Sequence, residues 1–514
     1  MKDPIENDTK GTNPDLEETK SVEVGDVGDE GLSRSLSQRH LVRISTRHLM
    51  MMAIGGVIGP GYFMGMGTGL STAGPAGLLI CFSVVGGLLY FVMQSLGELG
   101  AFISVSGSFT HYSLRFIDPA WGFALGWNYF LLWTGIIMAE YNNLGLVLTY
   151  WDTQMPRWGW MLVFWALFMS FAFLGVWAFG EAEFWLALFK VVAIAIFFLC
   201  AILISSGVIG GHKIGFKYYG DPGPFADGAK GVFKIFVFAA LQYSGTEMIG
   251  LTAGESQNPE KDIPKAVRSV LWRIVVIFIG GIFFLTITVP SNDGDLLGQS
   301  SKTAASPFVI AFNRVGVRAG AHAVNAVILI TIFSAVNSAV YVGSRTLYGL
   351  AKEGAAPKIF LYTMKGGTPI VALVTFHLLG FLSLLNLSSG AGVVYTWVIS
   401  MTGVATFITW ASICFCHIRL RKAMRLQNIS RSRLPYQAQL WPYGAYLGFG
   451  GSVFFIFFQG WTSFAPWSVE SFFMNYIIVV VFVLLASSWK IFHKTKWVQL
   501  ESVDLVSGRR DWLM

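Results

Sequence analysis

The sequence predicts an all-α integral membrane protein of about twelve transmembrane helices, and three observations carry that expectation. Hydrophobic residues make up 54% of the 514, charged residues only 13%, and mean hydropathy is +0.58. A soluble domain of this size carries roughly a quarter charged residues, so the deficit points to a surface that meets lipid. The apolar residues gather in about a dozen runs of the roughly twenty residues that a membrane helix needs. Glycine is abundant, at 57, which suits helices that pack by close backbone approach.

In order, the expected spans are 49–71, 77–103, 121–150, 158–179, 184–205, 231–254, 271–290, 321–348, 369–387, 393–417, 441–461 and 472–491. Lysine and arginine set the orientation. Basic residues collect in alternate loops: Arg34, Arg39, Arg43 and Arg47 before the first span; Lys261, Lys265, Arg268 and Arg273 after the sixth. Arg419, Arg421, Lys422, Arg425, Arg431 and Arg433 follow the tenth. This asymmetry places both termini in the cytoplasm. The net charge of +7 is therefore a topology signal, and no zinc-finger spacing or RNA-binding aromatic signature supports a nucleic-acid partner.

No soluble domain interrupts the spans. Residues 1–47 are polar and lack an apolar signal core, so they read as a disordered cytoplasmic tail; 48–493 form the membrane domain and 494–514 a second cytoplasmic tail. Lys2, Lys10 and Lys20 are acceptors for ubiquitin ligase machinery or plain surface lysines. Cys81, Cys200, Cys414 and Cys416 sit in apolar runs as small hydrophobes, and no spacing suggests a metal or cofactor. Nor is there a nucleophile elbow or phosphate loop to suggest an enzyme.

Two spans carry helix breakers at mid-length. The first reads Ala53-Ile54-Gly55-Gly56-Val57-Ile58-Gly59-Pro60-Gly61, and four glycines and a proline within seven positions break a helix. The sixth contains Leu241-Gln242-Tyr243-Ser244-Gly245-Thr246-Glu247. Unpaired backbone at membrane depth costs several kcal/mol per group unless something satisfies it, and a bound zwitterion does so. N–H groups at a half-helix start meet a carboxylate, and freed carbonyls meet an ammonium. Breaks in spans one and six correspond if spans one to five and six to ten are inverted repeats. The competing explanation is tight packing of small residues.

Ionisable residues inside spans need a partner or a task, since each costs at least about 2.5–3.5 kcal/mol at a helix centre. Glu98, Glu140, Lys190 and Glu247 qualify. Glu140 stands beside Tyr141, Asn142 and Asn143, a polar patch unsuited to lipid, and Glu247 lies within the second break. Glu98 and Lys190 are nearer span ends, where contact with water or snorkelling is an alternative. Glu140, Lys190 and Glu247 are the candidates for proton exchange.

Arg47-His48-Leu49 through Ala53-Ile54-Gly55-Gly56-Val57-Ile58-Gly59 resembles the start of the fungal amino-acid permeases, members of the amino acid–polyamine–organocation superfamily. Similar motifs follow in order: Gln94-Ser95-Leu96-Gly97-Glu98, Gly180-Glu181-Ala182-Glu183-Phe184-Trp185, Gly245-Thr246-Glu247, Ser334-Ala335-Val336-Asn337-Ser338 and Cys416-His417-Ile418-Arg419. The resemblance implies the LeuT-like fold of two inverted five-helix repeats plus two C-terminal helices. It also implies alternating access, plasma-membrane residence and proton-driven uptake of an L-amino acid. It assigns the substrate carboxylate to Ile58, Gly59 and Gly61, and the ammonium or side chain to Tyr243, Ser244, Gly245, Thr246 and Glu247. Lys190 matches the lysine that replaces sodium in sodium-independent relatives. Pro60 departs from the family's usual Gly-Thr-Gly and removes one amide donor. Thr402, in Met401-Thr402-Gly403-Val404-Ala405, resembles basic-amino-acid permeases and, with Glu140 and Glu247, favours a broad or cationic range. A non-transporting sensor of the same fold and a permease for neutral or acidic amino acids are the alternatives.

Overall fold

Proline and glycine set the first elements of the computed structural model, which describes residues 51, 58–105, 107–151, 154–252, 256, 258–297, 306–364, 367–387, 392–464 and 466–509. The expected tail 1–47, Gly55 and Gly56 of the first break, and residues 510–514 lie outside them. Pro60 takes the first helical position of α1 (Pro60–Met64), where its missing N–H costs nothing. Past Gly65 the chain enters α2 (Met66–Phe102), which is two helices meeting at Gly74-Pro75. Gly74 has φ +77°, and a Cβ there would lie 2.7 Å from Ala226 N and 2.8 Å from Phe225 Cα. Gly74→Ala is expected to cost about 1–3 kcal/mol through strain alone. A fall in the melting temperature of the detergent-purified protein checks this.

The chain continues through α3 (Ser108–Phe116), α4 (Pro119–Leu148), α5 (Arg157–Ala172) and α6 (Gly175–Ser206). The sixth span is built from α7 (Gly228–Lys234), α8 (Phe236–Tyr243) and α9 (Met248–Thr252). Next comes α10 (Pro259–Trp272), continued by a π-helical stretch, Arg273–Ile279, and by α11 (Gly280–Thr286). The remainder comprises α12 (Pro307–Arg314), α13 (Arg318–Lys352), α14 (Ile370–Leu379), α15 (Gly392–Leu426), α16 (Tyr443–Phe458) and α17 (Val469–His493). Among the described residues eight helices are long and apolar enough to cross a membrane. The interrupted first and sixth spans and the 16-residue α5 and α16 fall short of that length.

Two packing centres organise the chain. The α4 helix touches α13, α15 and α17, while α2 touches α7, α8, α10 and α16. Around the outside, apolar side chains face outward: Trp185, Ile196 and Leu199 on α6 and Val483 and Leu484 on α17 are more than half exposed. Helices apolar on all sides belong in lipid.

Four expected boundaries are corrected. The fourth span ends at Ala172 instead of 179, and α6 begins at Gly175 instead of 184; the turn falls on apolar Phe173 and Leu174, which hydropathy does not register. The seventh span starts at Pro259, twelve residues before the expected 271, so Arg273, counted above among the loop cations, is buried more than a dozen residues into a helix. The tenth runs past His417 to Leu426, burying Arg419 and Arg421 that were expected in solvent.

Residues after α17 fold back onto α3 and the end of α15. Val503 and Leu505 are buried, Gln427 Nε2 donates to Val503 O at 2.8 Å, and Ser104 N donates to Gly508 O at 3.2 Å. Arg115 pairs with Asp504 at 2.8 Å. Partial burial pushes the Asp504 carboxyl up, but hydrogen bonds from Ser507 and the Val506 amide, with the Arg115 charge, hold it at about 2. An aspartate lowered from about 3.9 stabilises docking fully above that value and loses the contribution as pH falls toward 2. The protection of amides 503–508, taken relative to their intrinsic exchange rates, is therefore expected to be unchanged by Asp504 titration between pH 5 and 8, and to fall below about pH 4.

Candidate substrate site at two interrupted helices

The second interruption is present, and the described end of the first, Ile58 to Gly61, lies against it. Ile58 and Gly59 are not helical; Gly59 is extended at φ −93°, ψ 176°, and the helix starts only at Pro60. In the sixth span α8 stops at Tyr243 and α9 starts at Met248, with residues 244–247 in turns and Gly245 at φ +87°. That left-handed conformation favours glycine. A Cβ on Gly61 would fall 2.3 Å from Gln242 Oε1, so the first helix presses its bare backbone onto the sixth. The third span closes the other side. A Cβ on Gly59 would sit 3.9 Å from Glu140 Oε1, and one on Gly245 would sit 3.3 Å from the Trp133 ring.

Most polar groups of the second break hold the break itself. Tyr243 is buried and donates its hydroxyl to Phe82 O at 3.1 Å, in α2. Thr246 Oγ1 donates to Tyr243 O at 2.7 Å and accepts from Arg273 Nη2 at 2.6 Å. Glu247 accepts from the Gly245 amide at 3.1 Å with one oxygen and from Trp410 Nε1 at 3.2 Å with the other. Arg273 was missed as a site residue because its charge resembled a loop signal. The polar Thr246 that receives it lies 27 residues earlier in the chain.

Three polar groups near the breaks are left over. Ser244 Oγ, Trp133 Nε1 and Glu140 Oε2 are buried with no hydrogen-bond partner among the described residues. Leaving each so costs about 1–3 kcal/mol, and more for a charge. A hydroxyl, an indole donor and a carboxylate thus stand near the two breaks without a protein partner among the described residues. Thr402 is buried on α15, but its neighbour Gly403 packs on Val237, about two turns from the break.

Lys190 does not snorkel. Its ammonium is fully buried, donates to Ser334 Oγ at 2.6 Å, and lies 3.8 Å from Glu183 Oε1, which accepts from the same hydroxyl at 2.6 Å. Ser334 thus joins a buried acid and base of α6 to α13. Its neighbour Ala335 is 4.0 Å from where a Gly59 Cβ would be, so this network lies one residue from the first break. Glu183 was visible as a motif residue without a role, since its partner is 151 positions away.

Glu98 belongs to a different construction. It meets His417 Nε2 at 2.9 Å, Arg421 at 2.5 and 2.7 Å, and the Ala438 amide at 2.7 Å. Charge-assisted bonds of this kind tie α2 to the end of α15 and to the loop beyond it. Arg345 stacks over the Tyr341 ring at 3.6 Å. No group of three His, Cys, Asp or Glu able to hold a metal ion occurs among the described residues.

Comparison with known proteins identifies the family and the fold. The solved manganese transporter of Eremococcus coleocola shares the fold, with a TM-score of 0.52 at 12% identity over 87% of this chain and 94% of that one. The general amino acid permease AGP3 of Saccharomyces cerevisiae is 40% identical over 95% of this chain and 88% of its own. The lysine-specific permease of the same organism is 38% identical over 95% and 82%. A family model described as amino acid permease matches residues 48–502. The chain is a member of the amino acid permease family and a transporter by kinship, not an enzyme.

Proposed function

We propose that the chain imports amino acids across the plasma membrane with protons, by alternating access around the paired breaks. Both termini are cytoplasmic in this proposal, and the fold comprises two inverted five-helix repeats and two added helices. The substrate carboxylate meets the backbone at Ile58, Gly59 and Gly61, with Pro60 contributing no donor. The ammonium or a cationic side chain meets Ser244 and Glu140. Tyr243, Thr246 and Glu247 act by holding the second break open, and Gly245 supplies its left-handed turn. Lys190, with Glu183, carries the coupling proton.

The observation that supports this best is the Glu140 carboxylate, whose Oε1 lies 3.9 Å from where a Gly59 Cβ would be and whose Oε2 has no hydrogen-bond partner among the described residues. A buried carboxylate needs a cation or a proton, and both are cargo of such a transporter. The same acid favours a broad or cationic range, in keeping with the lysine-specific and general permeases among its relatives. The test is uptake into cells without their own amino-acid uptake, with all common amino acids as competitors at two pH values. Glu140→Gln is expected to reduce lysine uptake at least about tenfold, the worth of one charge-assisted hydrogen bond, and leucine uptake less. Equal losses would remove Glu140 from side-chain selection. Wild-type protein at the surface that carries no amino acid would indicate a sensor.

A further inference from the structure

The end of α15 and the start of α16 enclose a cavity of about 320 Å³ lined by Arg421, Lys422, Arg425, Arg431, Trp441 and Tyr446, among others. Four cations share one wall, and no Asp or Glu lines it. The imbalance extends along the chain, which has no acidic residue between Glu353 and Glu470. Lys422, Arg425 and Arg431 are exposed, whereas Arg421 is more than nine-tenths buried. Glu98 takes its Nε and Nη2, while its Nη1 is buried with no hydrogen-bond partner among the described residues. Arg421, tied to Glu98 and lying over the Trp441 ring, adds its charge to the three exposed cations, and a cavity lined by four cations and no carboxylate is arranged for an anion.

The surroundings identify the source of that anion. Leu440, Tyr443, Tyr446 and Leu447 are each at least half exposed beside the cavity, at the start of an apolar helix. Exposed tyrosine and leucine at a helix end mark the membrane interface, so the opening sits where lipid headgroups lie. The cavity is in the size range of sites for small organic ligands. We propose that it binds the headgroup of a phospholipid bearing a phosphomonoester, such as a phosphorylated inositol lipid. The headgroup engages the three exposed cations in the field of Arg421 behind them, and its tails lie along the exposed leucines. Because Arg421 also holds Glu98, the bound lipid locks the end of α15 to α2.

The cytoplasmic leaflet as the lipid's location rests on the topology proposed above, but the binding test does not. Full-length protein in detergent is titrated with short-chain phosphatidylinositol 4-phosphate, with short-chain phosphatidylcholine, or with the water-soluble inositol phosphate, and melting temperature is followed. The phosphorylated lipid is expected to raise it by several degrees, with an effect that fades as salt rises, while phosphatidylcholine does nothing. Lys422→Ala/Arg425→Ala/Arg431→Ala changes only exposed side chains and is expected to weaken binding roughly hundredfold. Lys422→Glu alone provides the milder check. Equal stabilisation by phosphatidylcholine, indifference to salt, or unchanged affinity in the triple variant would overturn the site. An equal shift with the soluble inositol phosphate would overturn the lipid as its source.

Discussion

Lys190→Met is expected to abolish accumulation of substrate against its gradient. The wild-type ammonium is fully buried, 3.8 Å from Glu183 and bonded to Ser334, which in turn donates to Glu183. Removing one partner of a buried pair leaves the other charge uncompensated, at about 3–5 kcal/mol. The single variant therefore combines two effects, a folding cost and a coupling defect, which the double variant Lys190→Met/Glu183→Gln separates. Removing both charges relieves most of the stability cost, so the double variant is expected at the cell surface in near-normal amount. It should equilibrate labelled substrate down its gradient yet fail to concentrate it, and uptake should no longer change with external pH. Concentrative, pH-dependent uptake by the double variant would show that the proton travels elsewhere.

This network also marks the limit of what the residues alone convey. The second break and the described end of the first were legible because Gly59, Pro60 and Gly245 act on their own backbone, and such local effects are written in adjacent residues. Lys190 stood out because a lysine in an apolar run is costly. Its partners were not legible: Glu183 and Ser334 sit in separate motifs, and only the packing of α6 on α13 brings them together. Arg273 was misplaced for the opposite reason. Counting basic residues treats every arginine as a loop signal, and nothing local distinguishes one that bends inward to Thr246. The turn at Phe173 and Leu174 was hidden because apolar residues end a helix without altering hydropathy.

Glu247→Gln is expected to lower uptake by roughly ten- to hundredfold while leaving the protein at the surface, and the reason lies in its two acceptors. In the wild type each carboxylate oxygen receives one donor, the Gly245 amide or the Trp410 indole. Glutamine offers one oxygen and one NH₂ group, so whichever way it turns, one of those donors faces another donor. Losing a charge-assisted bond is worth about 1.5–3 kcal/mol, which converts to that range in rate if the break holds its shape only in the transporting states. The Gly245 turn then relaxes, and with it the neighbouring Ser244 hydroxyl and the Trp133 ring against which Gly245 packs. Such a lesion lowers the rate for every substrate together, since the break's own geometry is common to all of them. A direct contact to a cationic side chain would instead penalise lysine and arginine and spare leucine. Kinetics of Glu247→Gln and Glu140→Gln, measured side by side on lysine and leucine, therefore distinguish a carboxylate that shapes the site from one that reads the cargo. Parallel selectivity changes in both variants would return Glu247 to the substrate's surface.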